Sequence, residues 1–241
     1  MASSLVMAGD VLVSQVENDS ESFVAGLNKI TGGNLWKIDR PKSANWTTAT
    51  VRRDKAGQEQ VLLQSGKGIH AVNPASGKVE WHYADGAATI PSSALAGDML
   101  FVPSHGLTAL KLGADGKSFE QKWRSGRLRP GTASPLVHGR KVYSLNNAGV
   151  LACADVDSGN RLWQLRLDGP FGGSPVVADN HMYIFSEEGL AQVVDLTAPE
   201  GKVVGKMDLG EMIQCSPAVS NGALFVRSNG HIWKISRKTR L

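Results

Sequence analysis

The sequence predicts an all-β fold, a β-propeller built from about six four-stranded antiparallel blades. Three observations support this prediction: a tryptophan recurs at a regular spacing, other residue types keep the same spacing, and the apolar runs are short. The tryptophans in phase are Trp36, Trp81, Trp123 and Trp163, at intervals of 45, 42 and 40 residues. A long β-sandwich is the alternative, but it gives no reason for several residue types to share one period.

Three further columns follow this period of about 41 residues. Glycines open an apolar stretch in each unit, aromatic residues recur in the last four units, and serines precede most of the first strands. Because independent residue types share one period, six units are visible in the chain. The columns are Gly26, Gly68, Gly106, Gly149, Gly189 and Gly230; Phe101, Tyr143, Tyr183 and Phe225; and Ser93, Ser134, Ser174 and Ser216.

The apolar runs within each unit are four to six residues long and are bounded by Gly, Asp, Asn or Ser, which is typical of strands. In residues 134–167, the segments SPLVHG, RKVYSLNNAG, VLACADVDSG and NRLWQLRL predict four successive strands. The turns between them are short, so neighbouring strands should run antiparallel. The chain shows no long stretch with a helical period, which argues against parallel β/α architectures.

We expect a single propeller domain over residues 1–241. The sixth repeat stops after its third strand, and no sequence before Ser3 supplies a fourth strand. This pattern allows an N-terminally incomplete propeller of about seven or eight blades, an open arc, or a closed six-bladed ring. The repeats cover approximately residues 1–40, 41–86, 87–127, 128–168, 169–209 and 210–241.

Composition and charge narrow the function classes. The formal charge of +4 is spread along the chain. The clusters Arg52–Arg53, Arg124–Arg129 and Arg237–Arg240 are expected to be solvated surface, so no nucleic-acid partner is expected. The sequence contains no apolar segment of membrane-spanning length and no recognisable signal peptide. The two cysteines, Cys153 and Cys215, exclude a disulfide-rich scaffold and leave open whether they pair.

Three segments carry a turn followed by a tryptophan: AVNPASGKVEW (71–81), CADVDSGNRLW (153–163) and LNKITGGNLW (27–36). They resemble the tryptophan-docking motif of the quinoprotein-type β-propellers, the PQQ-like repeat family. The resemblance implies that the Ser-Gly turn uses a left-handed residue. It also implies that the ring packs towards a neighbouring blade while its N–H binds a backbone acceptor. The implied docking residues are Trp36, Trp81, Trp123, Trp163, Gly77 and Gly159.

The same resemblance bears on activity and location. The family includes quinone-dependent dehydrogenases and non-catalytic scaffolds of bacterial outer-membrane β-barrel assembly, which implies a periplasmic or secreted protein. Its alcohol dehydrogenases carry adjacent cysteines and a calcium-binding set around the quinone, and neither is recognisable in this sequence. We therefore expect no enzyme activity, no catalytic, cofactor-binding or metal-binding residues, and no bound pyrroloquinoline quinone (PQQ).

Other apparent motifs are better explained as structure. GKGIHA (66–71) matches a dinucleotide fingerprint in its letters, but Pro74 prevents the helix that the fingerprint requires. DVDSGN (155–160) resembles a calcium loop, but Gly159 stands where a ligand is needed, so we expect a turn. The six histidines show no ligand spacing. No G-x-S-x-G elbow is present, and Cys153 is expected to be an inert buried thiol.

The favoured hypothesis is a non-catalytic scaffold propeller that engages a protein or polymer ligand through its axial loops. These loops join the outer strand of one blade to the inner strand of the next, and cover residues 39–46, 85–92, 125–134, 168–174 and 209–216.

Aromatic and arginine side chains are frequent interface anchors, and the axial loops contain several. For Trp46, filling of the axial core is an alternative to partner contact. Two alternative functions stay open: a quinone- and calcium-dependent sugar or alcohol oxidoreductase, and a ligand-sensing domain of a larger protein. The candidate contact residues are Trp46, Arg127, Arg129, Phe171 and Met212.

Overall fold

Antiparallel β-sheets make up all the regular secondary structure of the described residues. The computed structural model describes residues 3–236, which form 23 strands in six sheets of consecutive strands. This confirms the predicted all-β fold of successive antiparallel blades. The chain divides into two compact units, a first that ends at Arg127 and a second that begins at Leu128. Within residues 3–236 there is no helix long and apolar enough to cross a membrane.

The first unit contains three four-stranded sheets in which the strand order follows the chain. The first sheet comprises β1 (Val6–Ala8), β2 (Val11–Val16), β3 (Phe23–Asn28) and β4 (Asn34–Asp39). The second comprises β5 (Thr50–Arg53), β6 (Glu59–Ser65), β7 (Gly68–Val72) and β8 (Val79–Tyr83). The third comprises β9 (Ala94–Ala96), β10 (Met99–Val102), β11 (Leu107–Leu112) and β12 (Phe119–Ser125).

The second unit contains two four-stranded sheets and, within the described residues, a three-stranded one. The first comprises β13 (Leu136–His138), β14 (Lys141–Leu145), β15 (Val150–Asp155) and β16 (Arg161–Arg166), which confirms the strands predicted from residues 134–167. The next comprises β17 (Val176–Ala178), β18 (His181–Phe185), β19 (Leu190–Asp195) and β20 (Lys202–Asp208). The last comprises β21 (Ala218–Ser220), β22 (Ala223–Arg227) and β23 (Ile232–Ser236).

Glycine is required where the second strand of a blade turns into the third. Gly68 has a φ of 108°, and a Cβ at this position would collide with the carbonyl of Tyr83 on the neighbouring strand. A residue with a side chain could adopt this conformation only with strain. Gly26 differs, because it lies within β3 and pairs with Trp36. Its assignment to the same glycine column was therefore wrong.

Each unit has its own apolar cores, built mainly from the inner three strands of its sheets. The outer strands are more exposed, as the alternating pattern of β16 and β20 shows. The cores of the first unit include Val13, Val24, Val61 and Leu63, and separately Leu62, Ile69, Leu100 and Leu110. Those of the second unit include Tyr143, Leu151, Phe171 and Ile184, and separately Phe185, Ile213 and Val226.

Hydroxyl side chains link successive blades within each unit by a repeated hydrogen bond. In the second unit, the backbone N–H of Ser174 donates to the Ser216 Oγ at 2.9 Å. In the first unit, the N–H of Thr48 donates to the Ser92 Oγ at 3.0 Å. The column residue is thus Ser92, and the assignment of Ser93 was wrong by one position.

The arginine clusters are only partly solvated. Arg52 is 3% exposed and donates to the Gln60 side chain at 3.1 Å and to the Gly113 carbonyl at 2.6 Å. The expectation that Arg52 is surface-exposed was therefore wrong, because its guanidinium fixes an adjacent turn. Arg124 donates to the Tyr83 hydroxyl at 3.0 Å. The cluster Arg237–Arg240 lies outside the described residues.

Candidate functional site

The docking tryptophans connect neighbouring blades within each unit. The indole N–H of Trp36, in β4, donates to the Pro74 carbonyl at 2.7 Å. The Trp36 ring covers Gly77, where a Cβ would lie 2.7 Å from the ring. Both Pro74 and Gly77 belong to the turn after β7, in the next sheet. The Ser-Gly turn of one blade therefore receives the tryptophan of the preceding blade.

The other docking tryptophans are buried in similar surroundings. Trp163 lies so close to Gly201, in the turn before β20, that no Cβ would fit there. The Trp81 ring packs against Phe119 of the next sheet, with centroids 5.1 Å apart. The Nε1 atoms of Trp81 and Trp163 have no hydrogen-bond partner in the described residues. The expected backbone acceptor for the indole N–H is thus present for Trp36 and absent, among the described residues, for Trp81 and Trp163. The rings of these two tryptophans stabilise the blades through packing. Trp123 is also buried.

The DVDSGN segment forms a hydrogen-bonded turn. The Oδ1 atom of Asp155 accepts hydrogen bonds from the N–H of Asp157, at 3.2 Å, and from the N–H and hydroxyl of Ser158, at 2.9 and 2.8 Å. The Ser158 hydroxyl, followed by the backbone donors, lowers the pKa of Asp155 below its ordinary value. Gly159 follows with a φ of 69°. The same side-chain turn occurs at Asn28, Asn73, Asp115 and Asp195.

Trp46 is exposed between two buried polar residues. Its exposed fraction is 44%, whereas Asn45 and Thr47 are 1% and 0% exposed. The backbone N–H of Trp46 donates to the Thr89 carbonyl at 2.8 Å, which joins two axial loops. Ile90, the next residue after Thr89, is 48% exposed. Trp46 is therefore a surface residue and not an axial core filler. We call these two exposed side chains the Trp46/Ile90 patch.

A buried polar network fixes the two loops that carry this patch. The Asn45 side chain donates to the Glu17 carboxylate and to the Gln64 carbonyl, each at 2.8 Å. The Gln64 amide donates to the Ala88 carbonyl at 2.6 Å. Glu17 also accepts from the Arg40 Nε at 2.6 Å, with both side chains almost fully buried. Because removing one partner would leave a buried charge or donor unpaired, this network holds the loop backbones rigidly.

A groove with a volume of about 500 Å³ opens beside Arg40 in the first unit. Lys67, His70 and His82 contribute to its walls. His70 and His82 are cross-strand partners in β7 and β8, and their rings stack with centroids 3.8 Å apart. Burial, followed by the charges of Arg40 and His82, lowers the pKa of His70 to about 4. The spacing of the histidines in the sequence gave no indication of this pair. Aligning β7 with β8 as antiparallel neighbours would have placed His70 opposite His82.

Phe171 is buried, so its predicted role as an exposed contact was wrong. Its side chain is 2% exposed and belongs to the core that includes Leu145 and Leu151. The ring lies beside Gly149, where a Cβ would be in ordinary contact with it at 3.4 Å but would collide with the Leu167 carbonyl oxygen at 2.7 Å. The Phe171 carbonyl accepts a hydrogen bond from the Thr132 hydroxyl at 2.6 Å. The ring therefore anchors its own loop.

The other three predicted contact residues lie at the surface. Arg127, at the end of the first unit, and Arg129, near the start of the second, are exposed. Met212 is 49% exposed, and its carbonyl accepts from the Asn229 N–H at 3.1 Å. Contact roles for these three residues stay predictions.

Glu211, beside Met212, joins a serine and a histidine. Its carboxylate accepts from the Ser228 hydroxyl and contacts the His231 ring. The pKa of Glu211 is lowered mainly by the hydrogen bond that its carboxylate accepts from the Ser228 hydroxyl. A serine nucleophile would need the imidazole next to the hydroxyl, whereas here the carboxylate lies between them. The cluster therefore braces an axial loop against the turn before β23.

Within residues 3–236, no three His, Cys, Asp or Glu side chains are grouped so that they could hold a metal ion. The calcium of a quinone site needs several such oxygen ligands. Cys153 and Cys215 are free thiols, and burial raises the pKa of Cys153 to about 11. This pKa agrees with the expected inert thiol at Cys153.

The chain resembles several solved structures in its fold. It has a TM-score of 0.73 and 14% identity to BamB from Moraxella catarrhalis, over 98% of this chain and 70% of that one. It has a TM-score of 0.72 and 12% identity to the computationally designed Ika8 protein, over 97% and 70%. For a europium-containing methanol dehydrogenase the values are 0.67 and 13%, over 93% and 64%. At these identities the likeness concerns the fold alone.

The sequence comparisons identify the family. No curated protein sequence matches the chain significantly. The family model described as outer membrane protein assembly factor BamB matches residues 1–102, 113–204 and 149–240, which together span most of the chain. With the tryptophan-docking turns and the antiparallel blades, this match confirms the predicted PQQ-like repeats. The chain therefore belongs to the family of outer membrane protein assembly factor BamB and has a β-propeller fold.

Proposed function

We propose that this protein is a non-catalytic scaffold that binds a protein partner through its axial loops, with the Trp46/Ile90 patch as the main contact. The observation that carries the proposal is the exposed indole of Trp46 between the buried Asn45 and Thr47. An exposed tryptophan on a rigid backbone supplies a large contact area with little loss of conformational entropy on binding. Such a residue is a typical interface anchor.

The family suggests the kind of partner and the location. Its description names an assembly factor for outer membrane proteins, so we infer that this chain acts outside the cytoplasm and engages proteins of that assembly process. Propellers present their loops on a rigid framework, and this suits a protein that positions others. No nucleic-acid partner is part of this proposal.

Complementation tests the proposal. The chain would be exported in a bacterium that lacks its own BamB-family gene, and the amount of folded outer-membrane protein would be measured. We expect the unaltered chain to restore assembly and the double variant Trp46→Ala/Ile90→Ser to fail while remaining folded. Leu35→Ser is the matched control, because Leu35 is 51% exposed but lies on the outer strand β4. Equal activity of the patch variant and the control would refute the role of the patch.

A second assay addresses the oxidoreductase hypothesis. The purified chain would be incubated with PQQ and calcium, and dye-linked oxidation of sugars and alcohols would be followed together with the absorbance spectrum of the quinone. The scaffold proposal requires that no saturable activity and no bound-quinone spectrum develop. Saturable oxidation would instead assign the chain to the dehydrogenase side of the quinoprotein-type propellers.

A further inference from the structure

Strand β20 has a glycine where the outer strands of the other four-stranded sheets have their docking tryptophan. In β16, Trp163 pairs with Cys153, and a bulge follows directly. In β20 the same register, with the same bulge, places Gly205 opposite Val193. Gly205 therefore occupies the docking position of its blade without a ring. The equivalent pairs in the first unit are Gly26 with Trp36, Ala71 with Trp81, and Ala109 with Trp123.

The side chains around Gly205 are correspondingly less covered. In the preceding sheet, the Tyr143 ring packs against Trp163, with centroids 5.8 Å apart, and is 1% exposed. Tyr183 stands at the same register position, opposite Val193, but is only partly buried. A Cβ at Gly205 would have only the Val193 side chain within 4 Å among the described residues. The face that a docking ring covers in the other blades is therefore open here.

A crevice with a volume of about 650 Å³ opens beside Tyr183, between the last two sheets of the second unit. Its charged lining residues are Asp179 and Lys234, whose opposite charges offset each other, so a neutral occupant is favoured. Val219, on the wall, is 44% exposed, which shows that the crevice is open to solvent. The apolar walls are Tyr183, Val219, Leu224 and Ile235, and the polar rim includes Asp179, Asn221, Lys234 and Ser236.

The other blades show which side chain such a space holds. The Trp163 ring extends beyond its own sheet to Gly201, in the turn before β20 of the next sheet. Trp36 likewise extends to the turn after β7 and donates its N–H to the Pro74 carbonyl. Each ring thus fills the space between one sheet and the next. The crevice lies in the same place relative to the sheet that contains Gly205, so an indole is the occupant whose shape and polarity match it.

We propose that this crevice binds a tryptophan side chain of a partner protein, which takes the place of the docking ring that Gly205 lacks. Asn221 and Ser236, exposed at the rim, supply hydrogen-bond partners for the backbone of such a segment. This inference goes beyond the proposed function, because the crevice shares no residue with the Trp46/Ile90 patch.

NMR titration of the full chain tests the crevice. The probe is N-acetyl-tryptophanamide, with N-acetyl-leucinamide as the aliphatic control and free indole as the ring without a backbone. The readouts are the methyl signals of Leu224 and Ile235 and the ring signals of Tyr183. We expect saturable shifts with N-acetyl-tryptophanamide and about tenfold weaker binding of N-acetyl-leucinamide, because only the flat ring fills the crevice.

A variant that supplies the ring from the chain itself sharpens the test. Val193→Ala/Gly205→Trp recreates in β19 and β20 the pairing of Ala71 with Trp81. The new ring should fill the crevice, so N-acetyl-tryptophanamide should no longer bind. Val193→Ala alone is the first control and should bind the probe at least as well as the unaltered chain. Val204→Trp is the second control and should leave binding unchanged, because Val204 is 52% exposed and lies at the bulge of β20.

Val219→Glu tests the crevice independently of the fold of the double variant. A carboxylate on the apolar wall should weaken binding of N-acetyl-tryptophanamide about tenfold. Several results would overturn the inference: no saturable shift, equal affinity for both amides, binding of free indole without binding of N-acetyl-tryptophanamide, or unchanged affinity in Val219→Glu or in the folded double variant.

The patch variant separates this inference from the proposed function. Trp46→Ala/Ile90→Ser should lose complementation but bind N-acetyl-tryptophanamide as the unaltered chain does. If complementation depends on the patch while the unaltered chain gives no saturable shift with the probe, the crevice fails as a binding site and the proposed function stands.

Discussion

The axial loops of the two units use aromatic residues in opposite ways. In the first unit, loop 39–46 exposes Trp46, and in the second, loop 168–174 buries Phe171. The inner strands differ correspondingly. Gln64 pairs with Ile69 in the first unit, and at the equivalent register of the second unit Leu145 pairs with Leu151. A buried amide requires polar partners from the loops, whereas a leucine can pack against a ring.

In these two units, a polar residue near the end of the second strand accompanies an exposed loop aromatic, and an apolar residue there accompanies a buried one. In β6, where Gln64 is the residue before the last, the loop backbones supply acceptors for its amide, and Trp46 is exposed at the surface. Where the strand ends in Leu145, the loop contributes Phe171 to the same core.

The first test of this comparison is Phe171→Ala. Deleting a fully buried ring should lower the free energy of unfolding of the second unit by about 3–5 kcal/mol, because the cavity is lined by packed side chains. Chemical denaturation followed by circular dichroism would measure the change. A loss below about 1 kcal/mol would show that the ring is not a core anchor.

The second test replaces the amide of the first unit with the aliphatic residue of the second. Gln64→Leu should destabilise the first unit by about 2–4 kcal/mol, because the amide bonds to Ala88 and Ser93 are lost inside the protein. Denaturation and hydrogen exchange of loop 85–92 would measure the effect. A neutral or stabilising outcome would mean that the polar network is not needed to hold the loop.

A third test uses the pH dependence of the first unit. The pKa of His70 is about 4 in the folded protein, below the value of about 6.5 expected for the unfolded chain. The unfolded state therefore binds the proton more readily, so stability falls as the pH decreases from about 6.5 to 4. His70→Gln should make the melting temperature less dependent on pH in this range. Parallel curves for both proteins would contradict the assignment.

The fourth test is Trp46→Ala, which should lower the free energy of unfolding by about 1 kcal/mol or less, because 44% of the residue is exposed in the folded protein. Trp163→Ala is the buried comparison and should cost about 3–5 kcal/mol. Thermal unfolding of both variants would measure the contrast. A large loss of stability in Trp46→Ala would place this ring in the fold and remove it as a candidate anchor.

Much of the fold could be predicted from local patterns. Strand lengths, turn residues and the period of Trp36, Trp81, Trp123 and Trp163 depend on chemistry within about 40 residues. The assignment to a column failed where two residues of the same type are adjacent in the sequence. Ser92 and Ser93 are adjacent in sequence, but only Ser92 accepts the hydrogen bond from Thr48. The sequence alone does not reveal which of two neighbouring hydroxyls faces the next blade.

The candidate site was less predictable, because it depends on burial. Trp46 and Phe171 have similar loop contexts in the sequence, yet one is exposed and the other is buried. The His70–His82 stack and the Arg40–Glu17 pair join residues with no common motif. Their proximity arises from strand register and from the packing of one blade on the next, and neither is encoded in a local pattern.

The repeat, the blade turns and the family resemblance can be recognised from the sequence, because turn chemistry and strand alternation are local properties of the chain. The contacts between blades become visible only in the fold: Gly77 receives Trp36 of the preceding blade, and Trp81 of the same motif packs on Phe119 of the following one. The packing of the sheets likewise leaves Trp46 exposed and buries Phe171. The physical reason is that these contacts join residues far apart in sequence, and their burial depends on how neighbouring sheets pack.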